Sequence, residues 1–402
     1  MRILHIKHPH DIKHVMQDIQ VDPYGVKIML PKAITHLIRL NSVSNILANI
    51  LKQEMLSLGG DVALARGALT GAVKSTDCLL MGNLAQFNRL HEKLKFQPFG
   101  LNKVGRELAE TLRNYEKDKF TVRAGRHTMN LGNRTSLMGI VNMTPDSFSA
   151  DGLLWMSRHQ DVKVSWIVEF VQRLVKDGAD IIDVGGESSR PGAKPVSLKE
   201  ELSRVIPVIK SLAKKIKVPI SVDTYKPEVA RQALDNGASI VNDITGLRNP
   251  AMTRIVARYN AAAIIMHMKG TPRTMQRNPH YTSLVDEILR YLEGAIATAE
   301  TAGINKDKII VDPGIGFGKT TEDNLAIIDH LSEFRVLGRP ILVGPSRKSF
   351  IGKILSVPPE ERLPGTVSAC VLAARNGAHI LRVHDVKEVK QALKLIEAME
   401  RR

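Results

Sequence analysis

The stretch SLMGIVNMTPDSFSAD, residues 136–151, decides how this chain is read. Its apolar run at 137–141 reads as a strand buried on both faces. The run ends in Asn142-Met143-Thr144-Pro145-Asp146-Ser147, a polar segment rich in turn-forming residues. A short buried strand that releases Asn, Thr, Asp and Ser at its carboxyl end is how a (β/α)8 barrel presents chemistry to a ligand.

Downstream the same grammar repeats. Strands are expected at 137–141, 181–185, 219–223, 240–242, 262–266, 309–312, 341–344 and 379–383. Helical spacing fills the gaps, at 165–176, 199–213, 227–236, 250–259, 284–302, 322–331, 364–376 and 386–400. Eight strand–helix units in one domain, 135–402, fit a closed barrel. An open doubly wound sheet would carry a Gly-rich dinucleotide fingerprint after its first strand, and none is present.

Upstream, residues 1–134 read as a smaller α/β domain. A strand is expected at 26–30 and a long helix at 33–56, followed by strands at 62–65 and 77–82 and helices at 84–94 and 101–115. The charged, Gly-interrupted segment 117–135 reads as a junction, with an edge hairpin that plugs the barrel floor. His10 and His14 have the i, i+4 spacing of a metal pair, but no third ligand stands at a defined spacing, so a solvated helix face is the better reading.

The 402 residues are 43% hydrophobic, enough for two cores, and carry a net charge of +16. Residues 1–134 hold 20 Lys+Arg against 11 Asp+Glu and the remainder 37 against 30, so the excess is spread rather than gathered in a basic tail. That argues against nucleic acid as the partner and leaves room for an anionic small molecule. Cys78 and Cys370 are the only cysteines and lack paired spacing, which excludes a disulfide framework. No apolar run reaches membrane-spanning length and the first residues do not form a secretory signal, so a soluble cytoplasmic protein is expected.

Chemistry should gather at the strand ends. Those positions hold Asn142, Ser189, Arg190, Pro191, Asp223, Asn242, Asp243, Met266, His267, Asp312, Phe317, Lys319, Ser346, Arg347, Lys348, Arg382 and His384. Asp223, Asn242 and Asp312 would form a carboxylate–amide face at the rim of a dry cavity, suited to a flat heterocycle with N–H and C=O groups. Arg190, Arg347, Lys348, Arg382 and His384, with Asn142, would surround the same mouth and suit a phosphate or pyrophosphate. Together they imply a heterocycle bearing a phosphate leaving group.

The strings VNMTPDSFS, DVGGESSRPGA, SVDTYKPEVA, VNDITG, DPGIGFGK, GPSRKSF and LRVHDV, in that order across 136–402, resemble the dihydropteroate synthases. The resemblance implies a Mg²⁺-dependent transferase of folate biosynthesis and a sulfonamide target. It would condense 6-hydroxymethyl-7,8-dihydropterin pyrophosphate with 4-aminobenzoate. Carried over, Asp223, Asn242 and Asp312 read the pterin, with Lys348 at its carbonyl side and Met266 packing nearby. Asp223, Lys348 and Asp312 are the catalytic set. Asn142 helps hold the metal on the pyrophosphate, which Arg190, Arg382 and His384 also contact. Ser189, Pro191, Phe317 and Ser346 line the aminobenzoate pocket. Loops 144–152 and 188–193 close over the site, and the barrel forms a homodimer.

Two departures stand out. The family's SDGG is here Ser149-Ala150-Asp151-Gly152, displacing the loop Asp by one residue, and its Ser-Thr-Arg-Pro is Ser188-Ser189-Arg190-Pro191. The alternatives are a non-catalytic pterin-binding paralogue and a methyltetrahydrofolate:corrinoid methyltransferase. The latter shares the pterin face but needs no pyrophosphate cluster.

Overall fold

A computed structural model describes residues 1–4, 6, 9–143, 160–188 and 195–400. They form two compact units, Met1–Arg113 and Asn114–Arg402.

The first unit is built on a three-stranded antiparallel sheet. Its strands are β1 (Thr35–Ser44), β2 (Asp61–Leu64) and β3 (Ser75–Asn83), in the order β1-β3-β2. Helices Asn45–Ser57, Leu84–Leu94 and Leu101–Glu116 supply Leu51, Met55, Phe87, Leu90 and Leu108 to its core. The strands expected at 62–65 and 77–82 and the helices at 84–94 and 101–115 are present.

Two expectations in this unit are overturned. Residues 26–30 lie in the helix Pro23–Ala33. Asp22 caps it by accepting from the N–H groups of Tyr24 and Gly25, and Pro23 presets its first turn, so local apolar content loses to a strong start signal. The helix expected over 33–56 is a strand followed by a helix. Ile38, Leu40 and Val43 face the core of this unit from β1, and Ser44 caps the helix that follows. Leu37, Leu40 and Val43 mimic helical spacing, but a bulge between Leu40 and Val43 and a positive φ at Ser42 shift the strand's alternation.

In the second unit, β4 (Phe120–Ala124) and β5 (His127–Leu131) pair as a hairpin. The barrel strands are β6 (Ser136–Asn142), β7 (Ile181–Gly185), β8 (Ile220–Asp223), β9 (Ile240–Asp243), β10 (Ala262–Met266), β11 (Ile309–Asp312), β12 (Leu342–Val343) and β13 (Ile380–Val383). All are parallel, in the order β11-β10-β9-β8-β7-β6-β13-β12, and a parallel bridge from Val311 to Ile341 joins the two ends. This is a (β/α)8 TIM barrel, as the strand–helix repeat implies. The strand expected at 341–344 shortens to two residues because Pro340 and Pro345, which lack N–H donors, bracket it.

The hairpin closes the barrel floor. Phe120, Val122, Ala124, Met129 and Leu131 pack with Met138, Ile181, Ile240, Ala262, Ile310, Leu342 and Ile380. The hairpin therefore belongs to the second unit, and the division falls about twenty residues before the expected one at 134. A separate layer between strands and helices completes the core. With the lower end sealed by apolar side chains, polar groups collect at the upper one.

Candidate active site

Several barrel strands deliver a functional residue at or next to the end of their apolar run. Asn142 ends β6, Asp223 ends β8, Met266 ends β10 and Asp312 ends β11. Asn242 is the last residue but one of β9, Arg382 the third of β13, and His384 follows that strand.

Arg382 is the centre of this end of the barrel. Its Nε donates to Oδ2 of Asp183 at 2.6 Å and its Nη2 to Oδ2 of Asp223 at 2.7 Å. Asn242 Nδ2 donates to the same Asp183 oxygen at 3.1 Å. Asp183, from the middle of β7, is fully buried, and its Oδ1 has no hydrogen-bond partner among the described residues. Two carboxylates so close in a dry site are tolerable only with the guanidinium between them. Burial, opposed by Arg382 and assisted by Asp183, raises the Asp223 carboxyl to about 7. Burial also raises Asp312 to about 6, although one of its oxygens accepts the Gly314 N–H at 2.7 Å.

The neighbouring sector is apolar. Met266, Ile244, Met268, Met275 and Phe317 form one cluster, with Tyr225 packed against it. Lys348 Nζ lies 4.3 Å from the centroid of the Phe317 ring, a cation–π contact. A methyl group on Gly316 would stand 3.1 Å from Lys348 Cδ, so the glycine lets the lysine cross the loop. Ser346 Oγ lies 3.0 Å from His384 Nδ1 and accepts the His384 N–H at 3.2 Å. Asn142 Oδ1 would sit 3.5 Å from a methyl on Gly185, as would the Asp223 carboxylate at 3.6 Å, so both crowd the end of β7.

The structure thus brings Asn142, Asp223, Asn242, Met266, Asp312, Phe317, Ser346, Lys348, Arg382 and His384 to one end of the barrel. Ser189, Arg190 and Pro191, the loop 144–152 and Asp151 lie outside the described residues. Two strand-end residues have other work. Arg347 forms a bidentate pair with Asp385 at 2.9 and 2.5 Å, so it is engaged away from the phosphate role expected of it. Asp243 accepts from Thr245 and Leu247 and shapes the turn after β9.

Sequence reasoning passed over Asp183, because it sits inside an apolar strand rather than at its end. A lone acid within IIDVG is itself the signal, since a carboxylate in that position needs a buried partner. Lys319 stands among the strand-end residues that the sequence offers, but the sequence assigns it no role. It is 3% exposed, donates to Phe317 O at 3.1 Å and lies 3.0 Å from His267 Nδ1. Burial pushes it down to about 7, and burial with the neighbouring Lys319 charge pushes His267 down to about 2.

The family model of pterin binding enzymes matches residues 138–384. The dihydropteroate synthase of Escherichia coli K12 is 47% identical over 262 residues, which is 65% of this chain and 90% of that protein. A probable bifunctional folylpolyglutamate synthase/dihydropteroate synthase of Halobacterium salinarum is 40% identical over 392 residues. That alignment spans 96% of this chain, hence most of the first unit, but only 46% of the bifunctional protein. Among solved structures, the Xanthomonas albilineans dihydropteroate synthase with 4-aminobenzoic acid superposes with a TM-score of 0.64 at 43% identity, covering 70% of this chain and 98% of that one. With the barrel, the buried carboxylate–arginine cluster and these likenesses in hand, the chain belongs to the pterin-binding enzyme family, among its dihydropteroate synthases.

Proposed function

We propose that the chain condenses 6-hydroxymethyl-7,8-dihydropterin pyrophosphate with 4-aminobenzoate, releasing pyrophosphate and forming 7,8-dihydropteroate. The observation that carries this reading is the linked set Asp183, Arg382, Asp223 and Asn242, with Asp312 close by on β11. It offers acceptors and an amide to a flat N–H-bearing edge, and a cation beside them for a leaving phosphate. The acceptor is supported by the aminobenzoic acid in the Xanthomonas albilineans relative.

Asp223, Asn242 and Asp312 hold the pterin ring by its polar edge, Lys348 approaches its carbonyl side, and Met266 packs on its face. Arg382, His384 and Arg190 receive the pyrophosphate. As the exocyclic C–O bond breaks, its electron pair leaves with the pyrophosphate, whose growing charge these groups offset. The carbon left behind is cationic, and the ionised Asp223 stabilises it at close range. The aniline nitrogen of aminobenzoate, held against Phe317, Ser346, Ser189 and Pro191, forms the new C–N bond and gives up a proton. An anilinium proton is acidic enough to leave without a strong base, consistent with a site whose buried His267 is held far from its ordinary range.

Mg²⁺ fits this donor set. Asn142 presents a hard amide oxygen beside the Gly185 end of β7, and magnesium is commonly held by one or two protein oxygens plus the substrate's phosphates. When bound, it would supply further charge neutralisation to the departing pyrophosphate.

A cytoplasmic homodimer belongs to the same reading. No described helix is long and apolar enough to cross a membrane. A groove of about 650 Å³ between helices Thr321–Asp329, Ser349–Leu355 and Leu363–Arg375, lined by Leu325, Ile354, Leu355 and Leu372, offers apolar surface for a second copy. The function is tested by Asp223→Ala, which removes both pterin recognition and cation stabilisation. Product formation should disappear, and retained turnover would refute the assignment.

A further inference from the structure

The turn Gly316-Phe317-Gly318 after β11 is held by side chains at four of its backbone groups. The Gly316 N–H donates to Asn324 Oδ1 at 2.7 Å, and Gly316 O accepts from Gln276 Nε2 at 2.9 Å. Phe317 O accepts from Lys319 Nζ at 3.1 Å, and Gly318 O from the Tyr281 hydroxyl at 2.7 Å. The backbone is also pressed inward. At Gly318, where φ is +65°, an added methyl would come within 2.6 Å of Lys269 O, so the turn lies directly on the segment after β10. Lys319 joins the two layers, since its ammonium also reaches His267 Nδ1 at 3.0 Å, and the His267 ring packs edge-on against Tyr291 at 4.9 Å.

Burying a lysine with no carboxylate in hydrogen-bond contact among the described residues is costly, and an apolar residue would serve packing as well. What the lysine secures is the place of the Phe317 carbonyl, and with it the ring that lies under Lys348. We propose that Lys319, with Tyr281 and Gln276, is a positioning residue that holds Phe317 as a rigid wall for the acceptor and so sets the affinity for the aromatic amine. This rests on the assignment of Phe317 to the aminobenzoate pocket. The pterin is gripped from β8, β9 and β11 and depends on the turn far less.

The test uses the full chain, Lys319→Met and Tyr281→Phe, with steady-state kinetics in each substrate and thermal unfolding. Lys319→Met should raise KM for aminobenzoate by about tenfold or more while KM for the pterin pyrophosphate stays within about twofold. Tyr281→Phe, which deletes one hydroxyl, should raise it by about threefold in the same direction. An unchanged aminobenzoate KM in both, or a parallel rise for both substrates, would overturn the proposal in favour of a merely structural lysine. If Lys319→Met does not fold, Tyr281→Phe decides alone. Failure of the underlying functional reading shows separately, as absence of product with the unaltered chain, and would remove this proposal with it.

Discussion

The Arg382 guanidinium donates from Nη2 to Oδ2 of Asp223 at 2.7 Å, so a group expected to meet pyrophosphate is paired with the carboxylate expected to meet the pterin. The same guanidinium separates Asp223 from Asp183. Arg382 thus couples the two halves of the donor substrate's site. Recognition of the ring and of its leaving group are not independent.

Arg382→Ala should therefore do more than weaken phosphate binding. It leaves two buried carboxylates facing each other, and breaking a buried pair in this way costs about 3–5 kcal/mol. A lower unfolding temperature, measured by calorimetry, should accompany a loss of affinity for the pyrophosphorylated pterin. Weakened binding with unchanged stability would mean that Arg382 acts on phosphate alone.

Asp223→Asn separates stability from function. Because the folded carboxyl titrates near 7 and an unfolded one near 3.8, the native state binds more protons than the unfolded state between those values. Its contribution to stability is therefore present at low pH and lost as pH rises from about 4 through about 7. His267 and His379, pushed down to about 2 and about 4 by burial, work in the opposite sense below about 6.5. The comparison is accordingly variant against wild type at each pH. The asparagine variant should gain stability relative to wild type as pH rises from 4 to 7.5, while losing turnover. A difference independent of pH would contradict the raised carboxyl.

Arg347→Met tests a group placed outside the phosphate set. Its bidentate pair with Asp385 is partly exposed, so the loss should lower stability by about 1 kcal/mol. Affinity for the pterin pyrophosphate, measured by titration calorimetry, should stay within about threefold. A loss of tenfold or more would return Arg347 to the phosphate role.

A truncation beginning at Asn114 should fold and retain the barrel's chemistry, whereas one beginning at Thr135 should not fold stably. The second loses Phe120, Val122, Met129 and Leu131 from the floor, each worth about 1.5–3 kcal/mol of burial. Circular dichroism melting of the two fragments distinguishes them. Equal stability would mean that the hairpin is dispensable.

The barrel was legible because its strands are short apolar runs followed by polar or turn-forming residues. That pattern located Asp223, Met266 and Asp312 at strand ends, with Asn242 one residue short of one. It failed for Asp183 and gave Lys319 no role, because both depend on partners 199 and 52 residues away, Arg382 and His267, that only the folded chain supplies. In the first unit, Leu37, Leu40 and Val43 are spaced like a helix face. Pairing of β1 with β3 overrode that local pattern.

The central claim is tested most directly by following pyrophosphate release from the pterin pyrophosphate with purified protein and Mg²⁺, with and without 4-aminobenzoate. Release that requires the aminobenzoate and matches dihydropteroate one for one is the expected result. Binding of the pterin pyrophosphate with no aminobenzoate-dependent release would contradict the proposed reaction and leave a pterin-binding protein without this chemistry.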